Sequence, residues 1–177
     1  MAQSVWVLDP THSEVQFRAK HLVISTVTGN FKSFEGKAVS ENEDFSNANI
    51  EFSIDAASID TNQEQRDAHL RSADFFDAEK YPQLVFKSAS FEKVNGDEYT
   101  LKGDLTIKNI TKSISLHVEY GGIADDSYGN TKAGFEVVGK VSRKEFDLLW
   151  NGITEMGSIV VGDEIKLVLN VQFAKQA

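Results

Sequence analysis

The chain has 177 residues, a net charge of −9 from 27 acidic and 18 basic residues, and no cysteine. The length suits a single domain over residues 1–177, and the missing cysteine excludes disulfides, thiolate nucleophiles and cysteine-ligated metals. The acidic balance disfavours nucleic acid and electrostatic docking on anionic membranes, and without a run of about 20 apolar residues stable membrane insertion is not expected.

Alternation of apolar and polar residues with a period of two predicts β-strands along most of the chain. The sequence Asn95-Gly96-Asp97 predicts a tight hairpin, further turns are expected at Gly29-Asn30 and Asn109, and residues 121–130 are expected to form a loop. In chain order the predicted strands run from about Ser13 to Ala19, Phe31 to Ala38, Ile50 to Ala56, Leu84 to Phe91, Tyr99 to Ile107, Ile114 to Tyr120, Phe135 to Val141 and Ile165 to Phe173. About eight strands at hairpin-like spacing are typical of an antiparallel barrel or sandwich.

One segment, residues 63–73, predicts a short helix inserted among the strands. Thr61 or Asn62 can serve as its N-cap, and Leu70 and Phe76 are its expected inward anchors. The proline of Tyr81-Pro82 ends this helical insertion, because proline cannot continue a helix.

The interior of a barrel with about eight strands can be either filled or hollow. The chain contains twelve phenylalanines, which favours an apolar chamber because flat rings can line a channel. The alternative, that these rings simply pack a core, stays open at this point.

Four residues supply the side-chain types of a hydrolytic triad: His12, Ser13, Asp67 and His69. The G-x-S-x-G sequence that presents a nucleophilic serine is missing, so we interpret them as turn or mouth residues. No two histidines have metal-ligand spacing such as H-x-x-x-H, and no metal or cofactor is expected.

Charged residues of the helical segment allow two interpretations. Arg66 and Arg71 can pair with Asp67 and Asp74 and hold the helix on the barrel, or they can face the polar head group of a ligand, for which arginine is well suited. Trp150, on the long connection after Arg143, could contact a flexible ligand chain or seal the barrel end.

These patterns together resemble the YceI family, the polyisoprenoid-binding, lipocalin-like YceI domains, over about Trp6 to Phe173. The shared pieces are Trp6-x-x-Asp9-x-x-His12-Ser13-x-Val15-x-Phe17-x-x-x-His21, Gly29-x-Phe31-x-x-Phe34-x-Gly36, Ser58-Ile59-x-Thr61, Arg66-Asp67-x-His69-Leu70-x-Ser72-x-Asp74-Phe75-Phe76-Asp77, Tyr81-Pro82, Phe86-x-Ser88, Gly103-x-Leu105-Thr106-Ile107 and Gly134-Phe135. Each piece alone is weak, whereas their joint order and spacing are specific.

The resemblance implies an all-β fold, an extended eight-stranded antiparallel barrel of lipocalin type. It also implies an elongated apolar cavity that binds, transports or stores a long-chain isoprenoid or other amphiphilic lipid, such as a quinone or polyprenyl phosphate, without catalysis. A lipid-modifying enzyme using His12, His69 and Asp67, and a filled barrel that docks a protein partner, are the two alternatives.

Strand parity and the resemblance together assign the candidate ligand-binding residues. The expected wall consists of Phe17, His21, Phe31, Phe52, Ile54, Phe86, Leu105, Ile107 and Phe135. The expected mouth consists of Arg66, His69, Arg71 and Trp150. A register error of one residue would invert the contribution of any strand.

Location and assembly are less constrained by the sequence. Met1-Ala2-Gln3-Ser4 lacks the charged and apolar regions of a signal peptide, so the chain as written is expected in the cytoplasm, or in the periplasm or outside the cell if its N-terminus was processed. A twofold-symmetric homodimer is the default expectation for assembly.

Overall fold

A computed structural model describes residues 3–22, 24–42, 44–148 and 161–176. They form one α-helix, α1 (Glu64–Arg71), and eleven strands. The strands are β1 (Ser4–Leu8), β2 (Glu14–His21), β3 (Ser25–Phe31), β4 (Phe34–Ser40), β5 (Asn49–Asp55), β6 (Ile59–Asp60), β7 (Gln83–Asn95), β8 (Glu98–Ile107), β9 (Ile110–Asp125), β10 (Thr131–Ser142) and β11 (Val161–Lys175).

The sheet closes on itself as an antiparallel barrel. The order β1-β4-β5-β7-β8-β9-β10-β11 makes a ring of eight strands, because β11 also pairs with β1 through Leu8 and Phe173. Closure leaves no free edge around this ring, which suits an antiparallel all-β chain. The expected eight-stranded barrel with one short helical insertion is confirmed.

Three further strands lengthen the barrel at one end. The long strand β11 pairs with β1 near its C-terminus and with β2 along the rest of its length, so β1 and β2 lie end to end beside it. In the same way β3 pairs with β2 and β4 with β1, while β6 pairs with β3 and β5 with β4. Three positions around the barrel are therefore each occupied by two strands lying end to end: β1 with β2, β4 with β3, and β5 with β6.

Chain direction places α1 at the end of the barrel where β2, β6 and β10 finish. The turn between β2 and β3 and the 3-10 turn Arg143–Phe146 lie at this same end, which we call the α1 end. The segment from Thr61 to Pro82 occupies the gap between β6 and β7, which do not pair with each other. At the end of this segment, the carbonyl of Pro82 accepts a hydrogen bond of 2.9 Å from the amide of Ala56.

An aromatic cluster fills the opposite end, which we call the aromatic end. Phe45 is 2% exposed and lies 5.0 Å from Trp6 and 5.2 Å from Phe135, measured between ring centroids. Phe91 stacks on Tyr99 at 4.7 Å. Aromatic pairs at such separations add about 0.5–1.5 kcal/mol each beyond the contribution of the area that they bury. Packed aromatic rings therefore occupy the interior at this end.

Two boundaries predicted from the sequence are wrong. Gly29 and Asn30 lie inside β3, opposite Phe17 and Gln16 of β2, and the chain turns instead between His21 and Ser25, the end of β2 and the start of β3. A Cβ on Gly29 would lie 2.3 Å from the Phe17 ring, so this glycine makes room for an aromatic side chain. Residues 121–125, expected as a loop, continue β9 past an irregularity in its pairing with β10.

The helix also differs from its prediction. It is shorter than residues 63–73, and its N-cap is Gln63, whose side chain accepts from the amide of Arg66. Asn62 has φ of 63°, and Thr61 is bonded to Asp67, so neither caps the helix. Among the described residues no helix is both long and apolar enough to cross a membrane.

Candidate functional site: an apolar cavity

A cavity of about 220 Å³ runs through the barrel interior. Its wall contains residues of every strand of the barrel except the short β1, and the surface it presents is apolar. Such a space suits an apolar chain, because it removes that chain from water without needing placed hydrogen-bond partners.

Burial of the interior side chains changes along two strands of the cavity wall. In β11, Val171 and Phe173 are buried, whereas Leu167 and Leu169, facing the same interior, are only half-buried. The same change occurs in β2, where Val15 is buried and the interior residues beyond it are half-buried. On these two strands, and among the described residues, the interior side chains are therefore more exposed towards the α1 end.

Eight of the nine residues expected in the wall line this cavity. They are Phe17, Phe31, Phe52, Ile54, Phe86, Leu105, Ile107 and Phe135. His21 is not among the lining residues; it is half-buried at the end of β2, opposite Ser25. Its parity is that of Phe17, but β2 ends at this residue. That these residues contact a ligand stays a prediction.

Other lining residues were absent from the expected set. Leu167 and Leu169 alternate with polar residues in a predicted strand, so the parity used for Phe17 would have found them. Leu70, Phe75 and Phe76, from α1 and the turns after it, also line the cavity. Leu70 and Phe76 were expected to face inward, but no periodicity indicates that a helix completes part of a barrel wall.

The pattern Arg66-Asp67 has a structural role. Asp67 is 5% exposed, and its carboxylate accepts from the amide of Thr61 at 2.8 Å and from the Thr61 hydroxyl. Arg66 donates from Nε to the hydroxyl oxygen of Thr61 and from Nη2 to its carbonyl, both at 2.7 Å. These bonds fasten the start of α1 to the end of β6.

Three of the residues expected at the mouth bond to neighbouring residues in the segment from Thr61 to Pro82. His69 Nε2 lies 2.9 Å from Asp74 Oδ2, and Arg71 Nη2 lies 3.1 Å from Glu64 Oε1. The expected partners of the two arginines are thus wrong, because Arg66 bonds to Thr61 and Arg71 to Glu64. Arg66, His69 and Arg71 do not line the cavity, and Trp150 lies outside the described residues.

One charged residue does lie in the described part of the cavity wall. Arg143 is 2% exposed and donates from Nε to the carbonyl of Gly162 at 2.9 Å and from Nη1 to that of Leu148 at 2.5 Å. Burial lowers the pKa of its guanidinium group. These bonds join the turn after β10 to the start of β11, so Arg143 helps to shape the α1 end.

The four residues considered for hydrolysis belong to two separate clusters. His12 Nδ1 lies 2.8 Å from Asp9 Oδ2, and the Ser13 hydroxyl donates to the Asp9 carbonyl at 2.7 Å. Asp67 and His69 belong instead to the α1 region described above. The structure therefore does not assemble a triad from these four side chains.

Asp9 is the centre of the first cluster. It also accepts from Lys132 Nζ and from the Thr11 hydroxyl at 2.7 Å. The bond from Lys132, followed by that from Thr11, holds the pKa of the Asp9 carboxyl well below its usual range. Together these bonds tie the break between β1 and β2 to β10. No group of three or more metal-binding side chains occurs among the described residues.

Comparison with known proteins identifies the family. The family model of the YceI-like domain matches residues 6–173. The chain belongs to the YceI family. Protein YceI of Escherichia coli O157:H7 is 38% identical over 165 residues, which cover 93% of this chain and 83% of that protein.

Two solved structures share the fold. Burkholderia cenocepacia BcnA superposes with a TM-score of 0.79 at 23% identity, covering 93% of this chain and 98% of that one. A polyisoprenoid binding domain from Saccharophagus degradans, implicated in plant cell wall breakdown, superposes with a TM-score of 0.71 at 13% identity, covering 99% of both chains. At these identities the likeness concerns the barrel architecture.

Proposed function

We propose that this protein binds a long-chain isoprenoid or similar amphiphilic lipid in the barrel cavity, as a carrier or store and without chemical change to the lipid. The observation that carries this proposal is the apolar cavity inside the barrel, bounded by aromatic rings at one end. The fold shared with a polyisoprenoid binding domain supports the ligand class.

The orientation of the ligand follows from the two ends. Its apolar tail extends towards Phe45 and Phe135, where rings close the barrel. Its polar head group stays at the α1 end, because the cavity surface offers it no polar partner. Quinone and polyprenyl phosphate head groups both fit this arrangement.

Affinity comes mainly from burial of the tail. Burying one methylene group contributes about 0.8 kcal/mol, so a five-carbon isoprene unit contributes about 4 kcal/mol, of which roughly 3 kcal/mol remains after the cost of ordering that part of the chain. Selection then depends on tail length, since a unit that cannot enter the cavity contributes nothing.

A series of isoprenoid alcohols with one head group and increasing tail length tests this proposal. Affinity measured by displacement of a fluorescent lipid should rise steeply with each added unit until the cavity is full, and then level off. A second series with one tail and different head groups should vary much less. Equal affinity across the tail series, or absence of binding, would contradict the proposal.

A further inference from the structure

Three basic residues lie directly opposite one another on the outer face of the barrel. Arg18 of β2 pairs with Lys166 of β11, which pairs with Lys140 of β10. All three are exposed. We call them the basic row. Like charges in directly opposed positions destabilise a sheet, so this arrangement is unusual in a chain whose net charge is −9.

An acidic residue pairs with one member of the basic row, and in the described part of the chain the other two members have no such partner. Lys20, two residues along β2 from Arg18, is also exposed, and its Nζ donates to the Thr26 hydroxyl at 3.1 Å. Lys140 Nζ lies 3.4 Å from Glu164 Oε1, which offsets its charge, and Asp163, which accepts from the Ser142 hydroxyl, is a second negative charge nearby. Among the described residues no ion pair joins Arg18 or Lys166 to a carboxylate, so these two residues and Lys20 supply the unpaired positive charge. Screening limits the influence of acids elsewhere, because the Debye length at physiological ionic strength is about 8 Å.

An exposed apolar tip lies beyond the basic row at the α1 end. Ile24, in the turn between β2 and β3, is 85% exposed. Leu22, half-buried with φ of 54°, belongs to the same turn. Arg18 lies three residue steps before His21, the last residue of β2, so the row lies about 10 Å along the strand from the start of the turn that carries the tip.

We propose that the α1 end docks on an anionic phospholipid bilayer, with Ile24 entering the interface and the basic row lying against the head groups. The spacing fits, since apolar groups of interfacial proteins enter to about 5–10 Å and basic residues act at the surface. Docking in this way turns the α1 end of the cavity towards the membrane. This proposal differs from the expectation, based on net charge alone, that docking on anionic membranes is disfavoured.

Co-sedimentation with vesicles tests the proposal. The wild-type protein should bind vesicles of phosphatidylcholine and phosphatidylglycerol at about three to one, bind pure phosphatidylcholine weakly, and dissociate in high salt. The double variant Arg18→Gln, Lys166→Gln should bind at least tenfold more weakly, since each basic residue near the surface contributes about fivefold. Ile24→Ser should also weaken binding.

Matched controls come from elsewhere on the barrel. Val94, in the hairpin at the aromatic end, is 64% exposed, and Val94→Ser should leave binding unchanged. Lys37→Gln with Lys87→Gln removes the same charge from exposed residues that both pair with Glu51 and should also have little effect. Equal loss in the controls, or no binding of the wild type, would overturn the proposal.

Two further measurements separate this docking from self-association of the protein and from uptake of lipid into the cavity. Sedimentation velocity without vesicles should show the same mass for wild type and Ile24→Ser; a dimer lost in the variant would identify the tip as a contact between copies and overturn the proposal. Lipid affinity measured without vesicles should be the same for wild type and Ile24→Ser, because Ile24 does not line the cavity. If neither protein takes up lipid, the proposed function is contradicted, while the vesicle-binding result still stands.

Discussion

Leu167→Trp tests whether the barrel interior is hollow. Leu167 of β11 lines the cavity, is half-buried, and lies between Phe17 of β2 and Gly139 of β10. An indole ring at this position should enter the hollow part of the interior and occupy space that the ligand tail needs. Val168, the next residue, faces the other side of the sheet, so Val168→Trp is the matched control.

The size of the effect follows from the space lost. If the indole excludes one isoprene unit, binding weakens by roughly 3 kcal/mol, which is about 100-fold in Kd. In a hollow barrel the added ring meets little protein, and the free energy of unfolding should stay within about 1 kcal/mol of wild type. In a filled barrel the same ring should cost about 1–3 kcal/mol through overpacking.

Two assays on the same variants distinguish these cases. Fluorescent-lipid displacement gives the affinity, and urea denaturation gives the free energy of unfolding. We expect Leu167→Trp to bind weakly and unfold like wild type, and Val168→Trp to match wild type in both. A folded Leu167→Trp protein with wild-type affinity would refute the assignment of the cavity as the ligand site.

Three predictions concern stability. Asp9→Asn should lower the free energy of unfolding at neutral pH by about 1–3 kcal/mol, measured by urea denaturation. Because Lys132 depresses the pKa of Asp9, the wild-type protein has this advantage above about pH 4 and should lose it gradually as acid protonates the carboxylate. A difference between the two proteins that stays unchanged at low pH would contradict this. Gly103→Ala should lower the free energy of unfolding by about 1–3 kcal/mol, since its Cβ would lie 2.4 Å from a backbone carbonyl oxygen. Gly134→Ala is the control, because a Cβ there has nothing within 4 Å, and it should melt close to wild type. Similar melting temperatures for the two variants would count against tight packing around Gly103. Asp67→Ala should speed hydrogen exchange of the α1 amides, since it strips the bonds that fasten the helix to β6; wild-type protection there would show that other contacts hold the helix.

Strand parity could predict much of the barrel from the sequence. In β8, apolar and polar residues alternate over ten residues, and the apolar residues are the buried ones in the structure. The prediction of a turn at Gly29-Asn30 was wrong because glycine occurs both in turns and where chains pack closely. Here Gly29 accommodates the Phe17 ring. A local pattern cannot distinguish these uses, since the residue that needs the space comes from a neighbouring strand.

The site was harder to predict than the fold. Arg66 and His69 have side chains suited to a head group, yet their bonds run to Thr61 and Asp74 within the same segment. Whether a barrel is hollow depends on the sum of its side-chain volumes and its radius, which no short pattern contains. The basic row likewise depends on strand register, because its three members are far apart in sequence.

Native mass spectrometry of the purified protein, followed by organic extraction and mass analysis of the released material, tests the central claim most directly. We predict a bound species whose mass reflects repeated five-carbon units and that is recovered chemically unchanged. A protein that carries no lipid, and that takes up neither quinones nor polyprenyl phosphates when they are added, would contradict the account.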